Sequence, residues 1–487
     1  LVDDDFSLSV VRDLYEGLTA LDARGEVVPG VADHWDIDRT QTLYTFHIRP
    51  TAKWSNGTKI VAEEFVQGMR RAVNPTAGSG GASLLAIIKG ANKVLEGLGG
   101  VETLAVTAHG LDEVRIELEH PAPYFLKILS QPIAAPLHVG SSKDAPLTLY
   151  NGAYTLTRRI PGSLIDLSRN PFYWDASRVA IDGVRYVNAE SEETEMREYL
   201  AGQLDITYTI PLMEIERLKQ EHSSEVQMTP SLGVAYLALN LSDKPFKDNP
   251  NLRKALSIAV DRDLIAKHLL GGASPAYSFL PTSLTGYTPA RYVWASWPRE
   301  QQLKLARSLY NSAGYSSSKP LRLRLYYSNN DTIHLMMIAI AESWRHNLGI
   351  DSQMVEEEFR VFLAGRRDRS RWDVLRLRWD ADYDDPSSFL ETLATGNNQN
   401  DSKYSNQKFD LILAKAKTEE DASSRLTLYK DAEQIILEEN PVIPVYFPLL
   451  RRLVSPDLVG ADIRAMNKTY SKNLSWTASP HPAQNLQ

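Results

Sequence analysis

The chain has 487 residues, more than the roughly 250 to 300 at which a single hydrophobic core stops growing, so two or more lobes are expected. Hydrophobic residues at 43% and charged residues at 23% are globular values, and a net charge of −8 argues against a protein that tracks nucleic-acid phosphates with Lys and Arg. The absence of Cys excludes disulfides, cysteine zinc sites and thiol nucleophiles, and leaves the redox compartment undetermined.

The start, LVDDDFSLSV, carries no basic leader followed by an apolar stretch, so a signal peptide is expected to have been removed from this numbering. No long apolar run follows that would span a membrane. Tyr44 to Pro50 alternates like a strand, and Ala62 to Val73 has the apolar spacing of a helix, which predicts a βα arrangement. Gly and Ser between Gly78 and Ser83, with Gly97 to Gly100, predict surface loops; no Gly-Lys-Ser/Thr follows, so they do not read as a phosphate cradle.

A second region starts near NGAYTL (Asn151 to Leu156), contains RNPFYWD (Arg169 to Asp175) and continues to about Leu232. Lys247 to Gly272 reads as one capped helix: Asp248 or Asn249 caps, Pro250 opens, Leu252, Ala255, Leu256 and Ala259 share a face, and Gly271 and Gly272 stop it. From Pro320 the order becomes βαβαβ: strand at Leu321 to Tyr327, helix at Thr332 to Arg345, strand at Ile350 to Glu356, helix at Glu358 to Arg366, strand at Val374 to Trp379. Such order predicts a mostly parallel sheet, whose ligands gather beyond the carboxyl ends of the strands.

Ten His are scattered through the sequence, including His34, His47, His109 and His334, and none forms the HExxH spacing of a helical zinc site. No GxSxG elbow is present, and neighbouring acids such as Glu63 with Glu64 read as a solvated helix face. The acidic stretch DADYDDP (Asp380 to Pro386) lacks calcium-loop spacing and its closing Glu. No catalytic residue, metal ligand or cofactor is expected from these patterns, although nine Trp, 22 Tyr and 12 Phe could supply rings for a cleft.

Seven phrases in order, over nearly the whole chain, resemble the extracellular solute-binding proteins of peptide, nickel and related importers: RDLYEGL (Arg12 to Leu18), PGVADHW (Pro29 to Trp35), TFHIRPTAKWSNGT (Thr45 to Thr58), NGAYTL, NPFYWD, ALSIAVDRDLI (Ala255 to Ile265) and NPVIPVYF (Asn440 to Phe447). RLRWDADYDDPSSFL (Arg376 to Leu390) is similar to the oligopeptide-binding branch, which reads close to RxxWxADYxxPxSFL. The resemblance implies an α/β, periplasmic-binding-protein-like fold, with two lobes that each hold a mixed sheet, an inserted third domain, and the ligand enclosed between the lobes. Residues 1–15, 151–232 and 451–487 would form the first lobe, 16–150 the insert and 233–450 the second lobe. The implied function is capture of short peptides for a membrane permease and its ATPase by a monomer in the periplasm or another extracytoplasmic space. Murein peptides, dipeptides, nickel chelates and glycans are alternatives within the family, and a hydrolase is the rival from outside it.

By the same resemblance Asp382 holds the α-ammonium of the peptide, a group that needs an anionic partner once desolvated. Asp384 or Asp385, before Pro386, fits the role of a helix cap better. Arg376, with Arg366 or Arg367, would meet the C-terminal carboxylate, for which guanidinium geometry is suited, and His334 would be a third partner. A salt bridge within the lobe is the competing role for Arg376. Trp379, Asp380 and Ala381, with Leu232, Gly233 and Val234, would pair by backbone with the ligand. Phe359, Tyr208 and Glu192 would line side-chain sites, and Asp3, Asp4 and Asp5 would lie near the cleft. Three departures stand out. Enteric members place a bridging Cys pair at Gly233 and Asp380, Pro448 replaces an aromatic residue, and the LDP-ending segment that usually precedes this start is missing, so a trimmed chain or a lost first strand is expected.

Overall fold

The structure, a computed structural model, describes residues 5–79, 81–138, 148–316 and 318–477, with the side chain of Asp5 left aside. The chain divides into two compact units, Leu1–Gln227 with Arg451–Gln487, and Met228–Leu450. It passes from one to the other inside two strands, Val226–Pro230 and Leu449–Leu453, which pair with each other.

In the first unit, β1 (Ala32–Ile37), β2 (Leu43–Ile48), β3 (Val106–His109) and β4 (Glu113–Glu117) form a sheet in the order β1-β2-β4-β3. Period-two alternation puts Tyr44, Phe46 and Ile48 into the core and turns Thr45 and His47 outward. The helix α1 (Ala62–Val73) has the bounds its periodicity predicts and buries Phe65, Val66, Met69 and Val73. Its first turn is closed by Glu64, whose Oε2 accepts from the Val61 N–H at 3.0 Å and from Trp54 Nε1 at 2.9 Å. A second sheet, Tyr154–Ile160, Leu164–Arg169 and Gly183–Val187, packs against the helix Asp5–Leu14 through Tyr154, Leu167, Val10 and Leu14. Both sheets are antiparallel throughout, most neighbouring strands being joined by hairpins or short loops and β2 meeting β4 across the segment that holds α1.

The phrases NGAYTL and NPFYWD acquire a physical role in this unit. Buried Glu16 accepts from Tyr173 Oη, Trp174 Nε1 and Lys472 Nζ, each at 2.5 Å. Asn151 Nδ2 donates to the Glu16 carbonyl at 2.8 Å, and Asn170 Nδ2 donates to the Gly152 carbonyl at 2.9 Å. A side chain at Gly152 would lie 2.5 Å from the Asp13 carbonyl, so only Gly permits that close approach.

The second unit is built on six strands: β5 (Gly233–Leu239), β6 (Ser274–Pro275), β7 (Arg322–Ser328), β8 (Asp351–Glu357), β9 (Val374–Asp380) and β10 (Val442–Phe447), in the order β6-β10-β5-β9-β7-β8. The crossover helices α3 (Asp331–Leu348) and α4 (Phe359–Gly365) make β7, β8 and β9 parallel, as the βαβαβ pattern predicts. The sheet as a whole is mixed rather than mostly parallel, since β5, β10 and β6 pair antiparallel. Its core joins Leu237, Leu323 and Leu325 to Leu252 and Leu256 of α2 (Pro250–Ala259) and to Met337 and Trp344 of α3.

Asn249 caps α2, its side chain accepting from the Leu252 N–H, but the predicted long helix stops at Ala259 and Val260 is extended. The break turns Arg262 inward. Its guanidinium donates to the carbonyls of Ala276 at 2.9 Å, Pro444 at 2.8 Å and Ser257 at 2.7 Å, fastening β10 to the helix end. Satisfying a buried guanidinium outweighs continuing the helix.

The helix α5 (Ala422–Glu439) anchors two further segments. Arg425 donates from both terminal nitrogens to Asp385, at 2.8 Å each, with both side chains buried. Glu433, which burial pushes up to about 7, accepts from the N–H groups of Phe279, Leu280 and Ala290 and from Tyr287 Oη. Removing one member of a buried ion pair strands the other. Arg425→Leu is therefore expected to cost about 3–5 kcal/mol in urea unfolding, and adding Asp385→Asn to return part of it by discharging the stranded carboxylate.

Candidate functional site

Strand β9 pairs with β5 over its whole length, from Gly233 opposite Asp380 to Leu239 opposite Val374. It pairs with β7 only at Val374 and Leu375. Beyond Leu375 the two parallel strands diverge, and among the described residues no strand accompanies the far edge of Arg376–Asp380. An open edge at the carboxyl end of parallel strands can accept an extended backbone. The Leu232–Val234 side is more occupied. The Leu232 carbonyl accepts from the Ala381 N–H at 2.8 Å, and the ladder from β5 to β10 begins at Ala235.

The loop after β9 is held at several points. Trp379 Nε1 donates to the Ser388 carbonyl at 2.7 Å, and the Asp382 N–H donates to Ser388 Oγ at 3.0 Å. Asp385 Oδ1 accepts from the Ser387 N–H at 2.9 Å and from Ser387 Oγ at 2.6 Å, while Asp384 Oδ1 accepts from the Thr285 N–H at 3.1 Å. Asp385 thus caps the short helix Ser387–Leu390 from outside, as its position before Pro386 suggests. Asp382 is exposed at the end of the open edge, and Ala381 beside it is buried.

Arg376 is half-buried and donates to Tyr446 Oη at 3.3 Å; its Nε is buried with no hydrogen-bond partner among the described residues. The salt bridge considered for it is not formed within those residues. Arg366 is already engaged, donating to Asp401 at 2.8 Å and to Gln399 at 3.0 Å, whereas Arg367 is exposed. His334 Nδ1 lies 2.9 Å from Tyr327 Oη and 3.0 Å from Glu356 Oε2. Burial and the Glu356 carboxylate push the Tyr327 hydroxyl up to about 12. Phe359, at the first turn of α4, is 55% exposed. Tyr327 and Glu356 carry no motif of their own and are brought together by strand pairing, whereas Tyr446 and Ser388 belong to the phrases NPVIPVYF and RLRWDADYDDPSSFL, which gave them no role by themselves.

Asp380 is ion-paired with Arg378, two residues earlier on the same face of β9, at 2.7 Å. A side chain at Gly233 would lie 2.3 Å from Asp380 Oδ1, so the carboxylate covers the glycine directly. The remaining sequence candidates belong to the first unit. Tyr208 is 59% exposed, and its N–H donates to Glu195. Glu192 opens the first turn of the helix Glu192–Leu200, where burial raises its carboxyl against the opposing pull of Arg451. Asp5 starts a helix, while Asp3 and Asp4 lie outside the described residues.

The profile described as "Bacterial extracellular solute-binding proteins, family 5 Middle" matches residues 26–401. The periplasmic oligopeptide-binding protein OppA of Escherichia coli is 34% identical over 96% of this chain and 88% of its own. Among solved structures, the murein tripeptide-binding protein MppA of Escherichia coli superposes with a TM-score of 0.88 at 32% identity, covering 97% of this chain and 94% of its own. Haemophilus influenzae OppA in complex with RPPGFSPFR gives 0.86 at 31% identity, covering 97% and 94%.

Directly opposed residues of antiparallel strands have Cα atoms about 4.5–5.5 Å apart, within the range a disulfide spans. The register of Gly233 with Asp380 therefore carries a prediction. The Gly233→Cys/Asp380→Cys variant should oxidise to one intrachain bridge, seen as a 2 Da mass loss and no free thiol. Two persistently titratable thiols under oxidising conditions would contradict the register.

Proposed function

Because the chain belongs to the bacterial extracellular solute-binding proteins of family 5, we propose that it captures short linear peptides and delivers them to the permease and ATPase of an importer. The observation that carries the reading is the open edge Arg376–Asp380, which ends on exposed Asp382. An extended peptide laid on that edge gains backbone hydrogen bonds that any side chain allows. Asp382 takes the α-ammonium, and Arg376, with a buried Nε still to be satisfied within the described residues, takes the C-terminal carboxylate. Arg367 and His334 are secondary carboxylate partners. Phe359, Tyr208 and Glu192 line side-chain positions.

Residues 1–15, 151–232 and 451–487 are proposed as one lobe, 16–150 as an insert and 233–450 as the other lobe. The protein acts as a monomer in the periplasm and without turnover. Relatives named for periplasmic solute binding support this reading, and among the described residues no helix is long and apolar enough to cross a membrane. Murein peptides form the second reading, favoured by the match to the murein tripeptide-binding structure. Prolonged incubation with bound peptide should leave its mass unchanged; cleavage in proportion to protein would establish a hydrolase instead.

Asp382→Ala should weaken peptide binding without unfolding the chain. Truncating one partner of a desolvated charge pair costs about 2–5 kcal/mol, roughly thirty- to several-thousand-fold in Kd. N-acetylating the peptide should cost the wild type a similar factor and cost Asp382→Ala much less, since both changes remove one contact. Calorimetry of the four combinations measures that coupling. Equal binding of free and acetylated peptide by the wild type would make Asp382 a structural residue.

A further inference from the structure

The sheet of the first unit gathers histidines that the sequence scatters. His34 on β1 lies opposite His47 on β2, His47 opposite Glu113 on β4, and Glu113 opposite His109 on β3, so one row crosses all four strands on the face turned away from the core. The His34 and His47 rings stack with centroids 4.2 Å apart and planes 9° from parallel. Asp36, two residues along β1 from His34 and therefore on the same face, places Oδ2 3.1 Å from His47 Nε2. One ligand atom from each of His34, Asp36 and His47 falls within 4.8 Å of the other two.

We propose that His34, His47 and Asp36 form a surface site for a divalent transition-metal ion of the zinc, copper and nickel class. Two ligand atoms bound to one such ion at about 2.0–2.2 Å, in tetrahedral arrangement, lie about 3.3 Å apart. The His47 and Asp36 atoms already stand at 3.1 Å, and a ring rotation of His34 closes the rest. Two imidazoles and one carboxylate suit these ions, whereas calcium and magnesium take oxygen ligands.

Two further features support the assignment. The Asp33 carboxylate hydrogen-bonds His34 Nδ1. Donation from Nδ1 leaves the Nε2 lone pair for an ion, which is the carboxylate–imidazole–metal arrangement that orients ligands in metalloproteins. The strands cannot slip to dissolve the site, because Phe46, Tyr44, Val114 and Ile116 on the opposite face are all buried. Coordination through His47 Nε2 requires that its proton, if shared with Asp36, sit on Nδ1 instead, a tautomer change that solvent can mediate. Glu113 is occupied by Arg115, at 2.6 Å. His109 is two strands beyond His47, about 10 Å away at ordinary strand spacing, and so falls outside the ligand set.

The site is independent of the peptide reading and is tested on the untagged full chain with Zn2+ alone, by calorimetry at pH 7.5, and with Cu2+ by electron paramagnetic resonance. One Zn2+ per chain is expected in the wild type, weakened at least about tenfold by His34→Asn or by His47→Asn and unaltered by His109→Asn. The Cu2+ spectrum should show nitrogen hyperfine structure that either ligand variant simplifies. Circular dichroism and peptide affinity should be the same in all variants. Absence of Zn2+ binding by the wild type, or equal affinity in the His34→Asn/His47→Asn double variant, would overturn the proposal.

Discussion

The antiparallel register between Gly233–Leu239 and Val374–Asp380 is the constraint on which the second unit depends. Side chains alternate along a strand, so a slip of one residue would exchange the faces of Leu375, Arg376, Leu377 and Arg378 and bury two guanidinium groups. The same register decides where Asp382 emerges, because Ala381 is the last residue tied back to the neighbouring strand, through the Leu232 carbonyl. From there the chain cannot drift. Within seven residues Ser388 and Asp385 tie the loop to Trp379, Asp382 and Arg425. The open edge and the acid that ends it are therefore placed by one strand pairing and one pinned loop.

Buried polar groups do the joining elsewhere. Glu16 and Glu433 each collect three or more partners from segments distant in sequence, and Arg262 joins the nearby Ser257 carbonyl to those of Ala276 and Pro444. Such groups add little net stability over an apolar core of the same shape, since their desolvation offsets most of the attraction. They do make wrong arrangements costly, because a displaced partner leaves a buried charge or N–H unmatched. A chain whose first unit is assembled from two separate stretches needs that kind of discrimination more than it needs additional apolar area.

Elements with strong periodicity were legible in the sequence. Ala62–Val73 and the five βαβαβ segments from residue 320 lie within a few residues of their predicted bounds, because amphipathic spacing is a local property. What escaped depends on pairing at a distance. The βαβαβ order cannot reveal that Gly233–Leu239 and Val442–Phe447 add antiparallel strands to the same sheet. The break after Ala259 is set by Arg262 partners at Ala276 and Pro444, which no local window contains. Family resemblance named Arg366 as a ligand candidate, but its commitment to Asp401, thirty-five residues away, became visible only in the fold. His34 and His47, thirteen positions apart, lie in two separate phrases without metal-ligand spacing and meet because two strands form a hairpin.

The pairing of Asp380 with Arg378 also changes how the acidic stretch should be understood. Read as sequence, Asp380 places a second carboxylate two residues from Asp382, an acid that either favours basic ligands or simply points to solvent. In the fold that carboxylate is held at 2.7 Å by a guanidinium on its own strand and lies over Gly233, where no side chain competes for the space. An internally compensated acid contributes little field at a distance, particularly where both partners are solvent-exposed and salt screens them. Asp380 therefore acts mainly by covering the cross-strand position opposite it.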